Sequence, residues 1–124
     1  MKIKTQKKEK PEHKIQNEIL EYLTKLGIFC WRNQNTGLFD PFSGKFRRKG
    51  KYQMLGISDI LGVCRGIFIA IEVKSEKGKA SDYQKQFLEM VNYNGGIGFI
   101  ARSVKDVEDN LWTTTFKIGK KTKL

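Results

Sequence analysis

Three side chains within Gly56 to Lys74, GISDILGVCRGIFIAIEVK, could do chemistry together: Asp59, Glu72 and Lys74. Two runs rich in Ile and Val are joined across Arg65-Gly66, which reads as a β-hairpin. With the turn there, Cys64 pairs with Ile67 and every later pair has residue numbers summing to 131, so Asp59 faces Glu72. Directly opposed residues point to the same side of a sheet with Cβ atoms about 5 Å apart, and like charges placed that way repel. A cation would remove the penalty. Two residues on, Lys74 emerges on the face that carries Glu72. Asp59 and Glu72 are hard oxygen ligands, and the backbone carbonyl of Val73 adds a third oxygen. Water and a substrate phosphate can complete an octahedral Mg²⁺ shell. Lys74 can then hold or deprotonate a water, or stabilise charge developing on phosphorus. The chemistry that fits is phosphodiester hydrolysis. Glu-x-Lys alone is commonplace on exposed edge strands. Here it ends the most apolar segment of the chain, GIFIAIEV, and Asp59 interrupts another apolar run, where unpaired charge is expensive.

The rest of the chain must position these groups. Its 124 residues fit one domain, 1–124, with one hydrophobic core. Residues 1–10 hold five lysines and read as a flexible basic arm. Ile15, Ile19, Tyr22, Leu23 and Leu26 then fall on one helical stripe, with Pro11 and Glu12 suited to the first turn and Gly27 to a C-terminal cap. Ile28 to Arg32 reads as a short strand. Residues 33–56 form a long basic loop with no sustained periodicity. In it Lys45, Arg47, Arg48, Lys49 and Lys51 are interleaved with Phe46 and Tyr52, a composition that suits phosphate contacts and base stacking and equally suits a solvated charged loop.

After the hairpin, Ser81-x-x-Gln84 fits a capping box, with Tyr83, Phe87, Met90 and Val91 on the apolar face of the helix it opens. Gln84 has a second reading, in which its amide turns toward the carboxylates or a phosphate. Gly95-Gly96 stops that helix, Ile97 to Ala101 reads as a buried strand, and Ser103 opens a third helix carrying Val104, Val107 and Leu111. Thr113 to Leu124 gives no pattern. The element order, α-β-β-β-α-β-α around the long loop, predicts an α/β fold with a mixed central sheet flanked by helices.

A net charge of +11, from 24 Lys and Arg against 13 Asp and Glu, favours a polyanionic partner, nucleic acid ahead of an anionic membrane. No apolar run approaches a membrane span and the basic start lacks a signal peptide's apolar region, so a soluble, cytoplasmic protein is expected. Cys30, Cys64 and a single His offer no zinc spacing, which leaves free thiols in a reducing compartment.

The segments GISDILGV, IEVKSEKGKASDYQKQF and GGIGFIARSVKDV resemble the VRR-NUC family, a branch of the restriction-endonuclease-like PD-(D/E)xK nucleases, and the likeness runs from Pro11 to about Val107. The resemblance implies a restriction-endonuclease-like core and a Mg²⁺- or Mn²⁺-dependent nuclease, with Asp59 and Glu72 as ligands, Lys74 catalytic and Gln84 supporting. It also implies an acid from helix one. Glu12 matches, with Gln16 one turn later as the other position. Ser58 stands where the superfamily motif has Pro, which is not a ligand. Stand-alone members of this length are similar to phage proteins that act as homodimers on branched DNA such as four-way (Holliday) junctions. Two classes of function are therefore in view: a metal-dependent, structure-specific DNA endonuclease, and a non-catalytic nucleic-acid-binding module with a structural Asp/Glu/Lys cluster. A pure binder gains nothing from carboxylates facing a phosphate, and this favours the enzyme. No apolar patch stands out in the sequence as a dimer face.

Overall fold

Pro11, at φ −66°, needs no backbone hydrogen bond in a first turn, and a helix, α1 (Glu12–Lys25), starts immediately after it. Ile15, Ile19 and Leu23 form its buried stripe, and Gly27, at φ 81°, turns the chain out of the helix. A computed structural model describes residues 10–34, 39–40, 44–46, 52 and 54–113, the backbone alone at 39, 40, 45, 46 and 113. Strands follow at β1 (Phe29–Arg32), β2 (Phe39–Asp40), β3 (Lys45–Phe46), β4 (Ile60–Cys64) and β5 (Ile67–Val73). Then come α2 (Asp82–Tyr93), β6 (Ile97–Ala101), α3 (Val104–Glu108) and a wide π turn, Asp109–Thr113.

The main sheet has the order β1-β4-β5-β6, antiparallel across the first two pairings and parallel between β5 and β6, with helices on both faces. This is the mixed α/β arrangement that the element order predicts. Arg65 and Gly66 both have positive φ, 51° and 82°, the conformation of a two-residue primed turn whose twist matches the flanking strands. Cys64 pairs with Ile67 and Ile60 with Ile71, so the register expected from the sequence holds along the whole β4–β5 ladder.

Two expectations change. Residues 33–56 are not uniformly irregular, since β2 and β3 pair there through Phe39 with Phe46 and Asp40 with Lys45. Two-residue strands are shorter than any window in which a period of two can show. The third helix widens after Glu108, which moves Leu111 into the π turn while keeping it and Val107 buried.

The core lies on one face of the sheet. Ile60, Cys64, Ile69, Ile71, Val73, Ile97, Phe99 and Ala101 point at Ile15, Ile19 and Leu23 of α1 and at Val107 and Leu111. On the opposite face α2 packs over β5 and β6 through Leu88, the one buried residue of α2. Gly98 permits this approach, because a Cβ there would stand 3.1 Å from the Leu88 carbonyl oxygen. Leu88 rather than the apolar stripe of Tyr83, Phe87, Met90 and Val91 is the residue buried against the sheet: Tyr83 and Met90 are more than half exposed, while Phe87 is half-buried and Val91 packs against Gly96 just before β6. Among the described residues no helix is long and apolar enough to cross a membrane.

Candidate active site

Strand β5 alternates, so while Ile69, Ile71 and Val73 enter the core, Glu72 enters the α2 face. The ladder ends at Ile60 and Ile71, one pair short of Asp59 and Glu72. Asp59 stays tied to the β1 side through its carbonyl, which accepts from the Asn33 N–H at 2.8 Å, and on the β5 side its carboxylate Oδ2 accepts a hydrogen bond from the Val73 backbone N–H at 2.9 Å. The two acids still meet: Asp59 acts on Glu72 as a nearby negative charge. Glu72 is 1% exposed, an extreme position for a carboxyl group.

Its surroundings treat its two oxygens differently. Oε1 accepts from the Gln84 amide Nε2 at 2.8 Å and sits 3.3 Å from the Lys74 ammonium, itself only 13% exposed. Oε2 is buried and accepts no hydrogen bond among the described residues, and when Glu72 is protonated the neighbouring Asp59 carboxylate can accept its proton. Burial first, and the Asp59 carboxylate second, push the Glu72 acid from 4.5 up to about 7, against the opposing pull of Lys74.

Gln84 satisfies both readings of it at once. Its Oε1 accepts from the Ser81 N–H at 2.8 Å while the Ser81 hydroxyl accepts from the Gln84 N–H at 3.2 Å, closing the capping box. Its remaining amide hydrogens reach Glu72. The first turn of α2 is therefore fastened to the carboxylate by one side chain. Gly56 holds that turn from the other side. It has φ 75°, and a Cβ there would lie 2.3 Å from the Tyr83 carbonyl carbon and 2.6 Å from the Gln84 nitrogen, closer than any side chain allows. The bend before Asp59 is thereby seated directly on the start of α2.

Glu12, in the first turn of α1, accepts from the Ser75 N–H at 3.4 Å, which brings it to the residue after Lys74. Gln16 points elsewhere. It accepts from the Arg32 Nε at 3.0 Å, and Arg32 also donates to Asn17. Between the two positions on helix one, the structure places Glu12 against the Lys74 loop and engages Gln16 with β1. Val73, fully buried, separates Glu72 from Lys74 at the end of β5. Ser58, where the superfamily motif has Pro, is 0% exposed and its hydroxyl has no partner among the described residues. Of the basic cluster, Lys45 begins β3, and Arg47, Arg48, Lys49 and Lys51 lie outside the described residues.

Arg102 is a residue that sequence reasoning did not single out. It follows β6, and its guanidinium donates to the carbonyls of Ser75, Glu76 and Gly78, holding the loop that leaves Lys74. The signal available in the sequence was only an Arg after a buried strand.

A divalent cation fits this donor set. Among the described residues no three Asp, Glu, His or Cys side chains gather as a ready cage, so the protein share of a shell here would be two carboxylates and main-chain oxygen. That sparse oxygen set, completed by water and phosphate, is how Mg²⁺ is ordinarily held. The orphaned Glu72 Oε2 has the chemistry such an ion would satisfy. Compared with protein-family models and with curated proteins, the chain matches none.

Proposed function

We propose that this protein is a metal-dependent DNA endonuclease, cutting phosphodiester bonds at the Asp59, Glu72 and Lys74 cluster. The observation that carries the reading is Glu72: a fully buried carboxylate with one oxygen tied to Gln84 and Lys74 and the other accepting no hydrogen bond among the described residues, beside a second carboxylate. Structural ion clusters close on themselves, since an unmatched buried oxygen costs about 1–3 kcal/mol. A binding module would have no reason to bear that cost at a site facing a polyanion.

Asp59, Glu72 and the Val73 carbonyl would hold Mg²⁺ or Mn²⁺, which supplies Lewis-acid charge to the scissile phosphate. The chain's own residues prepare that site. Gln84 and Lys74 engage Glu72 Oε1, so that the buried Oε2 is the oxygen left for a ligand. Lys74, whose ammonium lies at the mouth of the buried carboxylate, is placed to orient the attacking water or to balance charge on the phosphoryl oxygens. Glu12 holds the Ser75 amide and so fixes where Lys74 begins its loop. The water oxygen bonds to phosphorus, the phosphorus–oxygen ester bond breaks, and the leaving oxygen takes up a proton.

The resemblance to VRR-NUC nucleases and the net charge of +11 support DNA as substrate, and branched DNA such as a four-way junction above linear duplex. A single cutting centre per chain supports a homodimer, since resolving a junction takes two symmetric incisions. The cations at Lys45, Arg47, Arg48, Lys49 and Lys51 supply grip, and the working compartment is the cytoplasm.

Nicking of supercoiled plasmid with Mg²⁺ or Mn²⁺ tests the reading. Cleavage is expected with either ion, to stop with EDTA, and to disappear in Asp59→Ala. Metal-independent nicking, or a fully active Asp59→Ala, would sink it. Single strands, duplex, flaps, forks and four-way junctions then rank the substrates.

A further inference from the structure

Among the described residues, the α2 face of the sheet is only half covered. Four strands at about 4.8 Å spacing are wider than one helix of about 10 Å diameter, and α2 lies over β5 and β6. What remains over β4 and β1 is a lane about one helix wide. Its floor is the cross-strand row Phe29, Val63 and Phe68, joined by Trp31, which stacks edge-on against Phe29 at 5.3 Å. Its wall is the apolar stripe of α2, Tyr83, Phe87 and Met90, and wall and floor meet in a groove of about 670 Å³ that Leu55 also lines. Phe29 is 71% exposed, Tyr83 57% and Met90 56%.

We infer that this lane is where a second copy of the chain docks, the α2 stripe of each copy packing beside that of the other over its open β1–β4 floor. The inference rests on the homodimer reading above and gives it a surface. Charge selects the occupant. A chain of net charge +11 repels its own kind, and self-association needs a face without cations. Among the described residues, wall and floor together carry no Lys, Arg, Asp or Glu, whereas 30% of the chain is charged. Uncharged, rich in Tyr, Phe and Met, this is the composition of an interface centre. A nucleic acid would require phosphate-binding cations along the same walls. Area points the same way: the exposed parts of these side chains offer on the order of 700 Å² per copy, close to the roughly 800 Å² per partner of a standard interface.

Because α2 connects parallel β5 to β6, it runs antiparallel to both. A two-fold axis parallel to the paired α2 helices keeps strand direction. Both carboxylate sites then lie at the same rim of the dimer, open to one substrate.

Light scattering at micromolar concentration of the full chain, of Met90→Glu and of Phe29→Glu tests the surface, with circular dichroism as the check on folding. Wild type is expected at the mass of two chains and both folded variants at the mass of one. A wild-type monomer overturns the inference, as does a dimer that survives both substitutions. A variant that loses its fold shows that the lane is covered from within the chain, which overturns it as well. A monomer whose Met90→Glu variant loses single-stranded DNA affinity would assign the lane to unpaired bases instead. Plasmid nicking is followed alongside: a dimer that does not nick keeps the surface and breaks the nuclease reading, and a nicking monomer does the reverse.

Discussion

The two faces of strand β5 are built to opposite rules. Toward α1, Ile69, Ile71 and Val73 are at most 1% exposed inside an entirely apolar cluster, where every neighbour removes water and no group needs a partner. Toward α2, Phe68 opens onto the lane, Ala70 leaves room for the helix, and Glu72 is as deeply buried as the isoleucines beside it. One face lowers the free energy of the fold. The other holds a carboxyl group in a place that raises it, and the contrast separates what the chain needs to fold from what the proposed activity would need. Breaking either face should therefore give opposite signatures.

Glu72→Gln should produce the largest effect. On the proposed reading it removes a metal ligand, and losing one that stabilises transition-state charge costs several kcal/mol, or ~10³-fold or more in cleavage. Ile71→Ala, one residue away on the other face, should leave the cleavage rate per folded molecule near wild type and lower stability by about 2–5 kcal/mol. Plasmid nicking set beside urea melts separates the two. Equal losses of stability in both variants would erase the distinction between the faces.

The same carboxyl group should make stability fall with rising pH. With a native pKa of about 7 against an unfolded value of 4.5, folded Glu72 binds a proton more tightly than unfolded Glu72. Its contribution is complete below pH 4.5, declines between 4.5 and about 7, and above that the ionised, buried group is a net cost. Stability read from urea melts in EDTA should therefore drop across this window, by an amount of order 1–3 kcal/mol, and Glu72→Gln should flatten the curve. Added Mg²⁺ should raise the melting temperature more at pH 8 than at pH 5, because only the ionised form binds it. A flat profile in wild type would show that Lys74 fully offsets the burial.

Much of this site is legible in the sequence because it rests on a period of two. Asp59, Glu72 and Lys74 follow from a turn at Arg65-Gly66 and simple alternation, and the ladder keeps that register. Gln84 is legible as a cap with a second reading toward the carboxylates or a phosphate, and only the start of α2 above Glu72 shows that both hold and that the carboxylate is the partner. Gly56, Arg32 and Arg102 act on segments far from them in the sequence, and no local pattern marks them. The stripe on α2 shows a different limit: periodicity identifies an apolar face but not what it faces. That Leu88 rather than the stripe reaches the sheet depends on the close approach that Gly98 permits, and Gly98 belongs to another element.

The junction between the faces sharpens the comparison at intermediate size. Gln84→Ala removes a cap and a donor to Glu72 together, for a loss of about 1–3 kcal/mol. Gln84→Glu keeps the cap's acceptor and sets a third carboxyl beside the pair, so it should restore stability only at low pH. Urea melts at pH 5 and pH 8 decide between them. If Gln84→Glu matches wild type at both, the amide does not serve Glu72.

The smallest effect is expected at Arg102, which touches neither carboxylate. Its guanidinium bridges three carbonyls of the loop after Lys74, and Glu12 holds the same loop by the Ser75 N–H. Arg102 is exposed, so its loss should cost little global stability, roughly 1 kcal/mol or less. What it should change is position. With the loop released, Lys74 samples orientations unsuited to the phosphate, and turnover should fall by about tenfold while DNA affinity holds. Arg102→Lys should rescue it in part, because all three carbonyls are reached from the single nitrogen Nη1, and an ammonium also carries three donors on one nitrogen. Single-turnover cleavage with saturating DNA, together with amide exchange at Ser75 to Gly78, reads both consequences. Faster exchange without slower cleavage would show that the loop can move while Lys74 stays fixed by Glu72 and by the Ala101 carbonyl, which accepts its backbone N–H at 3.0 Å.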